Sequence, residues 1–470
     1  MLRKTIIVSA LMATLAASAR PQFHFTAPAG AINNPNGMTY FKGEWHLFYQ
    51  YKPDMKEKGI DKYWGHAVSK DLVHWRHLPP ALAPDEHGMC YSGSGAIDWS
   101  NTAGFGAGAQ VMLYSAVDDM THPRVQHLAY SLDGRTYVNY TGNPVILSLP
   151  EVKDKNQKDP ELFWYEPLKK WVSLLVITDG GFHKLAILHS PDLKSWTRVG
   201  EIVGDRINDG IYLYDSPDLF ELPVEGTSEK RWVLICGNRQ YAIGMFDGFR
   251  FTPETERLES WTVGTDNWHE WYAGQTFEDA PGGRRVQICW WPTVRRKGEP
   301  FQSAMSLPME LSLAKTAKGL RLTRKPAKEL ESLRDGPATR LKEFNGELIE
   351  AELSYTLAAD AVVTLDLRGV KITYDRPKET IMVNDPQCRP TRWNVSDGRL
   401  ALHVFLDRQG LEIFSADGLQ TLPMGHIVPN PANRRCSFFA RGAKKPVRDM
   451  VERVWRLKGV FGTASGNESH

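Results

Sequence analysis

The chain has few cysteines, no long apolar stretch in its body and no excess of one charge. Five cysteines, Cys90, Cys236, Cys289, Cys388 and Cys436, are scattered, odd in number and without C-x-x-C spacing. Buried free thiols are expected, rather than a disulfide framework or a structural zinc on paired cysteines. After the first residues no segment is long and apolar enough to cross a bilayer, so no membrane span is expected. Lys and Arg number 57 against 55 Asp and Glu, a formal charge of +2 at pH 7. That balance gives no electrostatic footprint for nucleic acid or an acidic membrane. His24, His46, His66 and His74 lie on or near β-type runs without ligand spacing. They read as structural histidines, so neither a metal nor a cofactor is expected.

What is present is aromatic and repetitive. Fifteen Trp and sixteen Tyr fit a β-rich protein, because flat rings fill β cores and also stack on sugars. A length of 470 residues suits two domains. At the start, Arg3 and Lys4 precede an apolar run from Ile6 to Leu15 and the small residues Ala17-Ser18-Ala19. This is the pattern of an export signal over residues 1–19, which predicts a secreted or periplasmic location and no lipid anchor.

Ser69-Lys70-Asp71 leading to Trp75 is echoed by Ser131-Leu132-Asp133 leading to Tyr137 and by Ser190-Pro191-Asp192 leading to Trp196. The echoes are about 60 residues apart, with short Val-, Ile- and aromatic-rich runs between them. Five such units over residues 20–324 predict a five-bladed β-propeller, in which each small sheet buries its faces against the next. Residues 325–340 read as a short helix-prone link. Residues 341–440 alternate apolar and polar, with Asp407-Arg408-Gln409-Gly410 as a hairpin turn, and predict a β-sandwich. In residues 441–470, Val447, Met450, Val451, Val454 and Trp455 fall at helical spacing, which predicts a helix packed by one face.

Three loops carry a carboxyl or amide beside proline: Asn33-Asn34-Pro35-Asn36-Gly37, Lys158-Asp159-Pro160, and Tyr214-Asp215-Ser216-Pro217-Asp218-Leu219-Phe220. Each alone is an ordinary turn signal. A propeller brings one residue per blade to the mouth of its channel, so residues far apart in sequence can converge.

In order and interval the three loops resemble the N-D-P-N-G, R-D-P and E-C-P-D-L-F motifs of glycoside hydrolase family 32, the fructan and sucrose hydrolases. Leu47-Phe48-Tyr49-Gln50-Tyr51, Tyr91-Ser92-Gly93-Ser94, Trp290-Trp291, Met305 to Leu311 and His403 to Arg408 extend the resemblance from about residue 22 to about residue 424. The resemblance implies the propeller-plus-sandwich fold and a fructose-containing oligo- or polysaccharide as ligand. It implies Asp159 as the transition-state stabiliser, and Asn33, Gln50, Trp64, Tyr91, Ser92, Lys158 and Trp291 as substrate-binding residues. It also exposes departures. Asn34 stands at the nucleophile position, Asp215 at the Glu acid/base position, Ser216 at a Cys position and Lys158 at an Arg position. A retaining glycosidase needs an ionised carboxylate to attack the sugar, and an amide is a poor nucleophile. Asp for Glu withdraws the acid by roughly 1.5 Å, one methylene. Three readings follow: a fructosidase with weakened or altered chemistry, a non-catalytic fructan-binding protein, or a glycosidase of different specificity. With no nucleophile, hydrolysis with inversion would need space for a water between carboxyl groups.

Overall fold

The computed structural model describes residues 20–461, leaving out 56–61, 87, 118–123, 151, 153–155, 180–181, 207–212, 214, 238, 256–257, 260, 262–263, 265–268, 297 and 443–444. The export-signal segment and Tyr214 thus lie outside the described residues. Five antiparallel sheets follow one another to Pro326, as the repeats predict. Their first strands are Gly30–Phe41, Met89–Asp98, Gln157–Tyr165, Asp218–Pro223 and Tyr272–Thr276. The first strands of the first three blades pack on each other, and that of the fifth packs on the first. Because blades cover both faces of their neighbours, Ala109–Val117 is buried at every position and reads as an unbroken run rather than an alternation.

The Ser-x-Asp echo is one turn used three times. Asp71 accepts from the backbone N–H groups of Val73 (3.1 Å) and His74 (2.8 Å). Asp133 does the same for Arg135 and Thr136, both at 2.8 Å, and Asp192 for Lys194 (2.9 Å) and Ser195 (2.7 Å). The preceding serine hydroxyl donates to each aspartate at 3.0–3.1 Å. The fourth blade keeps the turn without the serine: Asp247 accepts from Phe249 (2.8 Å) and Arg250 (2.7 Å). In these four blades a side-chain carboxylate that mimics a backbone turn returns the third strand to the fourth.

The ring closes between blades five and one. Phe301–Gln302 pairs parallel with Gly30 and Ala31, and Glu278 exchanges backbone hydrogen bonds with Met38 and Tyr40, both 2.9 Å. Two further five-stranded sheets face each other across Ile349, Leu353, Leu365, Ile372, Leu402 and Ile413, forming the sandwich. Between propeller and sandwich lies an aromatic core of Phe23, Trp261, Trp271, Trp291, Phe405, Phe414 and Trp455.

The tail departs from expectation. Val447–Arg456 is a strand, not a helix, and pairs antiparallel with Ile349–Leu357 at the edge of a sandwich sheet. Met450 and Val451 are about half exposed, while Val454 and Trp455 are buried. The open edge of the neighbouring strand offers a row of backbone partners that outweighs a weak helical spacing.

A buried ion cluster clamps the two domains. Asp407 accepts from the backbone N–H of Gln22 (2.7 Å) and Phe23 (3.0 Å) and pairs with His24 Nδ1 at 2.9 Å. Glu412 lies 3.6 Å from His24 Nε2 and accepts from Trp271 Nε1 at 3.0 Å. Burial works against charge on His24, but the two carboxylates outweigh it and raise its pKa to about 9. The raised value means the stabilisation is fully present below the unfolded pKa near 6.5 and is lost as pH rises through about 9. Denaturant unfolding between about pH 6 and about pH 10 should show a loss of roughly 3 kcal/mol that His24→Gln abolishes. An unchanged slope in the variant would contradict the cluster's charge state.

Candidate active site

The N-terminal ends of the first strands meet at one mouth of the channel, and there the strands stop being regular. In blade one the pairing register shifts between Ile32 and Pro35, setting Asn33 and Asn34 out of the ladder. Blade two shifts between Cys90 and Gly93, freeing Tyr91 and Ser92. Blade three shifts at Asp159-Pro160, and blade five between Tyr272 and Gln275. Each bulge re-aims side chains that a regular strand would send alternately to its two faces. Asp159 (φ 54°), Ser216 (φ 38°) and Ala273 (φ 50°) also hold left-handed backbone, a strain that clusters at functional sites.

These irregularities join the predicted residues into one network. The Asn34 amide donates from Nδ2 to Ser92 Oγ at 3.3 Å and to Ser216 Oγ at 3.1 Å. Gln50 Nε2 donates to the same Ser92 Oγ at 2.8 Å, and Lys62 Nζ donates to Gln50 Oε1 at 2.7 Å. The Ser216 backbone N–H donates to Asp159 Oδ2 at 3.2 Å, and the Asp159 N–H donates to Ser115 Oγ at 2.9 Å. Asp215 is paired with Lys158 Nζ at 3.1 Å and accepts from Tyr272 OH at 2.8 Å. Lys158 lies 3.9 Å from Asp159 Oδ2. Asn33 Oδ1 accepts from the Asn34 backbone N–H at 2.8 Å, fixing the bulge.

Asp159 and Asp215 both approach the Lys158 ammonium and are buried side by side, so the charge of each opposes ionisation of the other. Burial, then the neighbouring Asp215 charge, pushes Asp159 well above the usual carboxylate range. Burial acts on Asp215 too, but the hydrogen bond from Asp159 and the contacts with Lys158 and Tyr272 outweigh it and hold its pKa low. Protonation is therefore favoured on Asp159 and charge on Asp215. The site thus holds one ionised carboxylate, tied to a lysine, and a neutral amide where attack would begin.

Two predicted binding residues have no face to offer a sugar. Trp64 is fully buried and donates from Nε1 to the Tyr91 carbonyl at 2.8 Å, so it supports the pocket floor. A side chain on Gly37 would meet the Trp64 ring at 2.7 Å, which explains the glycine of the first motif. Trp291 is fully buried in the core between propeller and sandwich, its Nε1 donating to the His269 carbonyl at 3.2 Å. Its role is packing, and the expectation of a substrate contact is corrected on that ground. Tyr91 is partly exposed, with Lys62 Nζ 4.8 Å and Arg124 Cζ 5.7 Å from its ring centroid. The structure adds Lys62, Ser115 and Tyr272, which the motifs do not contain. One polar residue per blade points to Tyr272, since blade five otherwise contributes none.

A five-bladed propeller that gathers carboxyl and amide side chains at one mouth, with a sandwich behind it, is the architecture of a fructoside-acting glycoside hydrolase. The profile of the Glycosyl hydrolases family 32 N-terminal domain matches residues 24–326. The chain is 34% identical to a levanase of Bacillus subtilis over 94% of its own length and 71% of that protein. It is 28% identical to an extracellular exo-inulinase of Aspergillus niger over 93% of its length and 94% of that protein. The crystal structure of an exo-inulinase from Aspergillus awamori superposes with a TM-score of 0.81 at 26% identity, covering 94% of this chain and 99% of that one. The chain belongs to glycoside hydrolase family 32.

The opposed shifts make the two aspartates unequal. Asp159→Asn keeps a neutral group that can accept from Ser216 and donate to Asp215, so stability at pH 7 should stay within about 1 kcal/mol. Asp215→Asn removes the carboxylate 3.1 Å from Lys158 and should cost about 1–3 kcal/mol. Thermal unfolding of the two variants checks this, and equal losses would contradict the assignment of the proton.

Proposed function

We propose that this chain is a secreted protein that binds β-fructosides in its propeller mouth and turns them over orders of magnitude more slowly than a protein with an attacking carboxylate. The observation that carries the reading is the Asn34 amide, held by Ser92 and Ser216 beside the Asp159–Asp215 pair. An amide cannot form the covalent glycosyl intermediate that retention requires. Nor is Asp215 placed as a ready acid, because it is ionised and paired with Lys158. Inversion has no better support. That route places a water between carboxyl groups roughly 6.5–9.5 Å apart, whereas Asp159 and Asp215 are drawn together on one ammonium, Lys158, at 3.9 and 3.1 Å.

Recognition survives where attack does not. Asn34, Gln50, Ser92, Lys158, Asp159 and Asp215 offer donors and acceptors around one space, the means by which a pocket reads sugar hydroxyls. The levanase and exo-inulinase names of the relatives point to a β-fructoside, and the word extracellular in the latter supports secretion.

Calorimetric titration of the purified chain with fructo-oligosaccharides, paired with a sugar-release assay on sucrose, inulin and levan, tests the reading. Binding with very slow turnover is expected. The double substitution Asn34→Asp with Asp215→Glu should raise turnover about a hundredfold or more while affinity changes little. Fast hydrolysis by the unaltered chain with retained configuration would defeat the reading, as would an absence of binding.

A further inference from the structure

Outside the mouth, two groups of His, Cys, Asp and Glu among the described residues bring ligand atoms together: Glu350, Glu352 and His403, and Asp385, Cys388 and His426. The first is already occupied. Arg334 forks onto Glu350 at 2.7 and 2.8 Å and reaches Glu352 at 3.3 Å, and Arg453 holds Glu352 from the other side. A cation there would have to displace two guanidinium groups. In the second group His426 pairs with Asp385 and lies 5.4 Å, ring to ring, from His269, and no guanidinium fork on it is found among the described residues.

The geometry of that second group is specific. His426 Nε2 lies 3.5 Å from Cys388 Sγ and 3.4 Å from Asp385 Oδ1. Met424 Sδ lies 3.7 Å from Cys388 Sγ. Tetrahedral zinc with sulfur at about 2.3 Å and nitrogen or oxygen at about 2.0–2.2 Å separates its ligands by roughly 3.5 Å for S–N, 3.4 Å for N–O and 3.7 Å for S–S. All three measured separations agree, and the three His, Cys and Asp ligand atoms lie within 4.8 Å of one another. We propose that Asp385, Cys388 and His426 form a binding site for a borderline-soft divalent cation of the zinc type, with the Met424 thioether or a water completing it.

The chemistry of the set favours this class. Thiolate and imidazole select zinc over calcium or magnesium, and the carboxylate favours a dication over a monovalent copper. Binding forms the Cys388 sulfur–metal bond and releases the thiol proton to solvent. An ordinary thiol-to-imidazole hydrogen bond would give the same 3.5 Å contact with no metal. That alternative leaves the Met424 and Asp385 distances as coincidence, and experiment separates the two. The site has a structural position worth occupying. Asp385 and Cys388 lie between the sandwich strands Thr380–Val383 and Thr391–Arg392, and His426 follows the strand Thr421–Met424. The next residue after the cysteine, Arg389, donates to the Gly264 carbonyl at 3.0 Å, and Gly425 donates to the His269 carbonyl at 2.8 Å. Both acceptors lie in the propeller segment that leads to Tyr272 of the mouth. A bound cation would fasten the sandwich loops to that segment. Sequence spacing conceals the set, because the histidine follows the Asp-x-x-Cys pair by 38 residues.

The full chain, purified without a histidine tag and stripped with a chelator, should bind one equivalent of zinc. With cobalt as the probe it should show a thiolate-to-metal charge-transfer band, absent in Cys388→Ser and kept in Glu352→Gln. Cys388 is the one cysteine of the five that is not fully buried, so native alkylation reports on it without any substitution. Zinc should slow that alkylation about tenfold or more, as metal ligation removes the free thiolate. No band and no protection with metal in excess would overturn the site. Protection without a band, or a band that survives Cys388→Ser, would overturn it equally, since the metal would then be bound by other groups.

Discussion

Two buried carboxyl groups beside one lysine are costly to charge together, and the mouth of this propeller is arranged around that fact. Lys158 and Tyr272 hold the charge on Asp215, so the proton falls to Asp159. Asp159 is fixed in its bulge by Ser115 and touched by the Ser216 backbone, and Ser216 in turn receives the Asn34 amide. A third carboxylate at position 34 would add a second negative charge to this enclosed set. The neutral amide avoids that cost while keeping two hydrogen bonds. Asn34 and Lys158 are therefore parts of one electrostatic arrangement.

The fold supplies the setting by simple means. Five sheets too small to bury their own faces stack in a ring, and their first strands end together. Bulges at that end in four of the five blades turn strand residues into pocket residues. At the back, His24 between Asp407 and Glu412 ties the chain's entry to the sandwich, and Trp291 and Trp271 fill the seam. The mouth rests on this support, so its carboxyl groups are held about Lys158 instead of relaxing apart.

Much of this was legible in the residues. The Ser-x-Asp echoes revealed the blades because each is a turn whose hydrogen bonds require those two side chains. The three proline-flanked loops revealed the mouth because proline and backbone bulges constrain the same positions. What could not be read was direction. Trp64 and Trp291 carry the right chemistry for a sugar platform, yet a sequence does not say which side of a strand a ring faces, and both are buried. Lys62 and Tyr272 escaped because their roles arise only when separate blades meet. Val447 to Trp455 read as a helix because local spacing is blind to the unpaired edge that the folded sandwich presents to it.

Protonation of Asp159 is the claim on which the chemistry rests, and infrared spectroscopy addresses it most directly. At neutral pH the protein should show, beside any contribution from buried Glu161 and Asp218, the carbonyl stretch of a protonated carboxylic acid that is missing from Asp159→Asn. Identical protonated-carboxyl bands in the unaltered protein and Asp159→Asn would mean that Asp159 is ionised, and the account of the mouth would fail.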